Sequence, residues 1–267
     1  MQLLAYETVW NRFDNNMQLI DSHCHLDDER FDIDRDAVLE RAQHAGIDHF
    51  VVPAVAASGW SRLKVLAERY PNIHPAYGLH PWFCEQHSPE DLILLPQYLQ
   101  HAKAVGECGL DAMCKHVSMD DQLYWFRAQL TLAADYNLPL IIHAVKSIDL
   151  VLRALKEFPG LKGVVHSFYG SQQQADAVIA QGFYLGIGSA VTHAKNSRFR
   201  NMIATLPLEV LMLETDAPDQ PSASHRGARN EPAFLLETLH AVATLQDISA
   251  DEVASTCYAN ARRLFRI

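Results

Sequence analysis

Eight short apolar segments, separated by amphipathic stretches, recur along the whole chain and constrain its fold more than any other feature. Each segment is too short for a helix and many of its residues are β-branched, so the segments are predicted to be strands buried on both faces. They are Leu19–Asp21, His49–Val52, Ile73–Gly78, Ala104–Gly106, Leu138–Ile142, Gly163–Val165, Phe183–Ile187 and Val210–Leu213.

Helix start and stop signals fill the gaps between these segments. Ser88 followed by Pro89 is typical of an N-cap with proline at the first helical position. Ser118 with Asp121 approximates a capping box and predicts a long helix that ends at Asn137. Comparable signals predict five further helices: one that contains Val38 to Ala45, one from Ser58 to Tyr70, one between Ser171 and Gly182, one that begins at Pro232 and one that begins at Ser249.

Eight strands alternating with helices in 267 residues predict an α/β fold, namely a (β/α)8 TIM barrel. The competing architecture is a doubly wound open sheet, but the chain contains no Gly-x-Gly-x-x-Gly turn. We therefore expect residues 18–267 to form one barrel domain and residues 1–17 to be an extension, with Met17 as a candidate for the natural start.

The composition is that of a globular protein, with 49% hydrophobic and 20% charged residues, and it excludes a wholly disordered chain. The longest apolar stretch, Phe50–Ala57, is far shorter than the roughly 20 residues that a membrane span needs. The first 17 residues lack the pattern of a secretory signal. We therefore expect a cytoplasmic protein with no membrane partner and free, buried cysteines.

The net charge of −10 means that the surface as a whole does not attract phosphate backbones. A polyanionic substrate would need a local feature that overcomes this repulsion. A metal centre is one such feature.

Polar side chains stand at the carboxyl ends of five predicted strands. In an eight-stranded barrel those ends converge on one face, where active sites lie. The residues are His23 and His25 after the first strand, Glu107 after the fourth, His143 after the fifth, His166 after the sixth and Asp216 after the eighth. Each of them alone is compatible with a core histidine or a turn-capping aspartate, but their convergence favours a metal site.

The chemistry of this set points to two cations. Residues two apart in an extended segment point the same way, so His23 and His25 can bind one ion. Imidazole and carboxylate suit zinc, manganese, cobalt or iron, while oxygen-rich ligation suits magnesium. Six side chains are too many for one open tetrahedral site, but they suit two divalent ions (Mg, Mn or Zn) with Glu107 shared.

At these residues the chain resembles the TatD family of metal-dependent DNases and, within it, the YjjV-type hydrolases. The resemblance spans nearly the whole chain. The matching stretches are Ile20–Asp27, Gly78–Pro81, Gly106–Asp111, Pro139–His143, His166–Gly170, Leu213–Pro218 and Asn230–Pro232.

The resemblance implies a barrel of the metal-dependent hydrolase type that cleaves phosphodiesters, often trimming DNA from a 3′ end. His23, His25 and Asp216 would hold one ion, His143 and His166 the other, and Glu107 would bridge them. Asp216 and Glu107 are the expected catalytic residues, with Asp216 acting also as the base. Asp21 is expected to hydrogen-bond a ligating histidine.

Substrate contacts are expected from three residues near the mouth, His80, Arg229 and Asn230. The sequences of two loops, residues 112–116 and 225–229, differ from those usual in the family. Because both loops are expected to contact the substrate, the sequence predicts the metal ligands better than it predicts the identity of the substrate. The expected partner is a nucleic acid or a small phosphoester, bound by a monomer.

Two other functions fit the same residues. The first is an amide, lactone or aminoacyl-ester hydrolase with the same metal centre, because a carbonyl and a phosphoryl group need similar polarisation. The absence of lysine at position 107 disfavours the carbamate-bridged branch of such enzymes. The second is a binding protein with structural metals, which six ligands disfavour because structural sites are normally closed by four.

Overall fold

Eight parallel strands pair in chain order within residues 17–267, the part of the chain that the computed structural model describes. They are β1 (Leu19–Asp21), β2 (Ile47–Pro53), β3 (Ile73–Tyr77), β4 (Ala104–Asp111), β5 (Leu140–Val145), β6 (Gly163–Val165), β7 (Phe183–Ile187) and β8 (Leu211–Leu213). The N–H of Ser22 donates to the carbonyl of Leu213 over 3.0 Å, so the ends of β1 and β8 meet. The predicted barrel is confirmed.

Nine α-helices lie in this part of the chain and surround the sheet. They are α1 (Arg35–His44), α2 (Ala57–Arg69), α3 (Pro89–Leu99), α4 (Met119–Tyr136), α5 (Ile148–Leu155), α6 (Gln172–Ala180), α7 (Ser197–Ile203), α8 (Leu235–Gln246) and α9 (Ala250–Phe265). The capping predictions are confirmed at Ser88, Ser118, Ser171 and Ser249, which are N-caps of α3, α4, α6 and α9. The extension predicted for residues 1–17 lies, except for Met17, outside the described residues.

Two helices, α5 and α7, are not among those predicted from the sequence. Each has fewer than three turns, and the N-cap residues Ser147 and Asn196 make no capping hydrogen bond through their side chains. Packing of their apolar faces, rather than a cap, therefore stabilises these helices.

The core has two layers because successive strand residues point to opposite faces. Seven strands contribute one residue each to an inner cluster, for example Ile20 and Val164, and Leu264 and Phe265 of α9 pack against it. The alternate residues of the strands, which point outward, pack beneath the helices in a larger outer cluster. The C-terminal helix thus closes one end of the barrel and leaves the other end for a site.

The five cysteines are free and buried, as expected. Among the helices described here, none has the length and apolar character needed to cross a bilayer.

A pair of neighbouring histidines on β2 and β3 predicts that the stability of the fold is sensitive to acid. The rings of His49 and His74 are joined by a 2.9 Å contact between Nδ1 and Nε2. Burial, helped by the nearby His49 and Lys103, lowers the pKa of His74 from 6.5 to about 4. The unfolded chain therefore binds this proton more tightly, so stability is full above about pH 6.5 and falls as the pH drops toward 4.

We expect His74→Gln to remove part of this acid sensitivity. Between about pH 7 and pH 5, the wild type should lose about 1 kcal/mol of unfolding free energy more than the variant, after discounting for partial exposure. Urea unfolding at both pH values measures the difference. His44→Gln, at an exposed position on α1, is the control; equal losses in wild type and His74→Gln would contradict the expectation.

Candidate metal centre

The six residues predicted as metal ligands lie together at the carboxyl end of the barrel. His23 and His25 follow β1, Glu107 and His143 lie in β4 and β5, His166 directly follows β6, and Asp216 follows β8. All but His23, which is fully buried, line a cavity of about 420 Å³. Side chains separated by nearly 200 positions in the sequence therefore face one space.

Four donor atoms form the first half of the cluster. His23 Nε2 lies 3.3 Å from His25 Nε2 and 3.3 Å from Asp216 Oδ1. Glu107 Oε2 lies 3.3 Å from His23 Nε2 and 3.6 Å from His25 Nε2. Two ligands of a tetrahedral zinc ion at 2.0–2.1 Å are separated by about 3.3 Å. The spacing of these donors therefore fits a single cation.

The second half is built on the other oxygen of Glu107. Its Oε1 lies 2.9 Å from His143 Nδ1 and 2.8 Å from His166 Nε2, and these two nitrogens are 3.2 Å apart. One carboxylate thus faces two groups of donors, one with each oxygen. Such a carboxylate can be shared between two cations.

In His25 and His143, a hydrogen bond to one ring nitrogen determines which nitrogen is free to bind a metal. His25 Nδ1 lies 3.1 Å from the carbonyl of Pro53, which only accepts, so the lone pair is on Nε2. His143 Nε2 lies 3.0 Å from Asp111 Oδ2, which leaves Nδ1 to face Glu107. This is the arrangement in which a histidine ligates a metal and a neighbouring group orients its ring.

The electrostatics of the cluster favour positive charge. Burial alone would raise the pKa of Glu107, but the imidazoles of His166, His80 and His23 outweigh it and hold this pKa well below its usual value. Burial opposes charging of His25, yet Asp216 and Glu107 raise its pKa to about 9. A bound cation would take the place of these protons, so metal affinity should fall with falling pH.

The backbone at two positions brings the side chains together. Asp216 has a φ of 58°, in the left-handed region, which Asp tolerates better than most residues. Gly109 of β4 has a φ of 141°, and a Cβ there would lie 2.0 Å from the carbonyl oxygen of His143. A larger residue would push β5, and His143 with it, away from Glu107.

Asp21 hydrogen-bonds His23, one of the predicted ligands, as expected, and it does so at the backbone N–H of His23 rather than at the ring. Its Oδ1 accepts from the N–H of His23 over 3.3 Å and from the N–H of Thr215 over 3.0 Å. Burial, only partly offset by the bonds from Thr215, raises the pKa of Asp21 to about 7. Asp21 thereby joins the segments that carry His23 and Asp216.

His80 belongs to the cluster, as a hydrogen-bond donor. Its Nδ1 accepts the N–H of Trp82 over 3.1 Å, so in the neutral ring the proton is on Nε2, which lies 3.2 Å from Glu107 Oε1. Burial lowers the pKa of His80 to about 4 even though Glu107 raises it. The neutral Nε2–H is suited to donate to an anionic oxygen rather than to ligate a metal.

The other two expected substrate contacts, Arg229 and Asn230, are bound to other protein groups and do not line the cavity, so their role toward substrate stays a prediction. Arg229 donates to both carboxylate oxygens of Asp34, over 2.8 and 2.6 Å, and stacks on Phe31. Asn230 is buried, and its Nδ2 donates to the carbonyls of Thr215 and Asp219 over 2.8 Å. Neither residue lines the cavity, because both hold loops together.

We expect Asn230→Ala to destabilise the protein by about 2 kcal/mol, because it leaves buried carbonyls of the loop after β8 without a donor. The same loop carries Asp216, so activity should fall as well. Thermal unfolding measures the effect, and Asn201→Ala at an exposed position of α7 is the control. An unchanged unfolding temperature would show that Asn230 does not hold this loop.

Three residues that hold the cluster were not predicted. Asp111 orients His143, Gln220 Nε2 donates to Asp216 Oδ2, and Glu214 Oε1 lies 3.6 Å from His166 Nδ1. Period-two spacing would have found Asp111, because it shares a strand face of β4 with Glu107, whereas Glu214 lies beyond the end of β8. Gln220 follows a turn and has no such signal.

The chain is similar over nearly its whole length to known proteins. A family model described as TatD related DNase matches residues 20–266. The metal-dependent hydrolase YjjV of Escherichia coli (strain K12) is 38% identical over 256 residues, 94% of this chain and 98% of that protein. The 3'-5' ssDNA/RNA exonuclease TatD of Erwinia tasmaniensis is 32% identical over 261 residues, 93% of this chain and 100% of that protein.

The fold comparison agrees with the sequence comparison. The crystal structure of the TatD homologue YjjV from Escherichia coli superimposes with a TM-score of 0.89 at 38% identity, and the match covers 93% of this chain and 98% of that one.

Proposed function

The chain belongs to the TatD family of metal-dependent hydrolases, and we propose that it hydrolyses phosphodiester bonds, as a deoxyribonuclease of the 3′–5′ exonuclease kind with two divalent cations. The observation that carries the proposal is the position of Glu107. Its two oxygens face two separate groups of donor atoms within 3.6 Å. Such a pair of adjacent sites suits in-line displacement at phosphorus, in which both the attacking and the leaving oxygen need stabilisation.

These distances support the ligand sets that the family resemblance implies. His23, His25, Asp216 and Glu107 would hold one cation, and His143, His166 and Glu107 would hold the other. Magnesium, manganese and zinc are the candidate ions, because nitrogen and carboxylate donors both contribute.

Each protein group has a distinct task in the proposed reaction. When bound, the cations polarise the phosphoryl group and lower the pKa of a water molecule. Asp216 accepts the proton of the attacking water. Burial alone would raise the pKa of Asp216, but the imidazoles of His23 and His25 hold it far below its usual value, which keeps the carboxylate ionised.

The remaining groups orient Asp216 and the substrate. Gln220 donates to Asp216 Oδ2 and leaves Oδ1 facing His23 and His25. His80 Nε2–H donates to a phosphoryl oxygen, which gives a directed contact without adding charge.

Activity assays of the purified protein test the proposal. Single-stranded DNA, bis-p-nitrophenyl phosphate and a lactone are each offered with magnesium, manganese or zinc, and again after treatment with EDTA. We expect metal-dependent hydrolysis of the two phosphodiesters. Hydrolysis of the lactone alone would assign the centre to carbonyl chemistry, and inactivity toward all three would overturn the proposal.

A further inference from the structure

A half-exposed tryptophan stands on the rim of the cavity that holds the donor atoms. Trp82 is 43% exposed and lines the cavity together with His80 and Glu107. It lies in the short 3-10 helix Pro81–Gln86, which begins directly after His80. The indole of Trp82 has no role in the reaction proposed above.

The position of Trp82 is fixed from both sides. Its backbone N–H donates to His80 Nδ1 over 3.1 Å, and its backbone carbonyl accepts from His116 Nε2 over 2.9 Å. The ring of His116 packs edge-on against the indole, with centroids 5.3 Å apart and planes at 76°. The backbone of Trp82 is thus held next to His80 and one edge of its indole is supported by His116, which lowers the entropic cost of binding a substrate there.

The charges around the cavity provide little electrostatic attraction for a nucleic acid. Among the described residues that line it, Arg30 alone carries a permanent positive charge, and its guanidinium is bound to Asp28 and Asp219. The chain as a whole has a net charge of −10. The lining of the cavity away from the metal centre therefore offers little attraction to phosphates, so an uncharged contact there can add to the affinity for a nucleic acid.

We propose that Trp82 is the base-stacking platform of this site, on which the base of the nucleotide at the metal centre stacks. The inference rests on the proposed function. Every base has a π face, so stacking on an indole binds nucleotides with little regard to sequence. A base inside a duplex is covered on both faces by its neighbours, so the platform would take a terminal nucleotide that is free of them.

Kinetics with two oligonucleotides test the proposal. One ends in adenine and the other in an abasic residue with the same phosphates. For the metal-loaded wild type we expect a KM about 10-fold lower with the adenine end. Trp82→Ala should bring the two KM values together, Trp82→Phe should keep most of the difference, and Tyr124→Ala, which removes an exposed aromatic ring on α4, should keep all of it.

Fluorescence provides a readout that does not need turnover. A phosphorothioate oligonucleotide ending in adenine should quench the tryptophan emission of the wild type, and Trp82→Phe should lose this quenching. If Trp82→Ala leaves the ratio of the two KM values unchanged, whether or not both values rise, the proposal that Trp82 is a stacking platform is overturned. Failure of the wild type to hydrolyse either oligonucleotide would instead overturn the proposed function.

Discussion

Asp216→Asn is expected to lower kcat for phosphodiester hydrolysis by at least about 1000-fold while the protein remains folded. Asparagine keeps the size of the side chain but cannot accept the proton of the attacking water, and it is a weaker ligand beside His23 and His25. The loop conformation should persist, because asparagine also tolerates the left-handed backbone at this position. Steady-state kinetics, with circular dichroism and thermal unfolding as checks, measure the effect.

Asp251→Asn on the exposed first turn of α9 is the matched control and should leave kcat unchanged. Activity of Asp216→Asn within a few-fold of the wild type would remove Asp216 from the reaction. A variant that unfolds would be replaced by Asp216→Glu, which keeps the charge but moves the carboxylate, and which should also lose most activity.

Glu107→Gln is expected to reduce activity by a comparable factor and to weaken cation binding in both halves of the cluster. The amide keeps the shape of the side chain, but it is neutral and turns one of two acceptor oxygens into an N–H donor. That donor would face nitrogens whose lone pairs are meant for a cation. Because one residue serves both groups of donors, a single substitution damages both.

Kinetics at increasing manganese concentration measure this second effect. Activity of Glu107→Gln should need at least about 10-fold more metal for half-saturation and should not recover fully. The exposed Glu90→Gln on α3 is the control. Wild-type metal dependence in Glu107→Gln would show that the carboxylate is not shared between cations.

The barrel, and the convergence of the six predicted metal ligands on one face of it, could be predicted because both depend on a small number of physical rules. Short β-branched segments alternating with capped helices leave few topologies, and a parallel barrel brings all strand ends to one face. His23 and Asp216 therefore meet whatever the loops between them do. Even the strand limits agree closely, since Gly163–Val165 and Phe183–Ile187 are observed as predicted.

The loop contacts could not be predicted, because they depend on conformation rather than on period. Arg229 was expected to meet phosphate, yet Asp34 lies within reach of its guanidinium and holds it. Asn230 was expected to face substrate, yet its amide replaces missing backbone partners in the loop after β8. Trp82 follows a proline in an irregular segment, where no periodic pattern indicates which way a side chain points.

The number of cations bound per chain tests the shared carboxylate most directly. Metal-free protein is dialysed against manganese, and the bound ion is counted by elemental analysis. We expect about two ions per wild-type chain and about one in the double variant His143→Ala, His166→Ala, which keeps the donors around Glu107 Oε2. An absence of uptake by the wild type, or equal uptake by wild type and double variant, would contradict a centre built on Glu107.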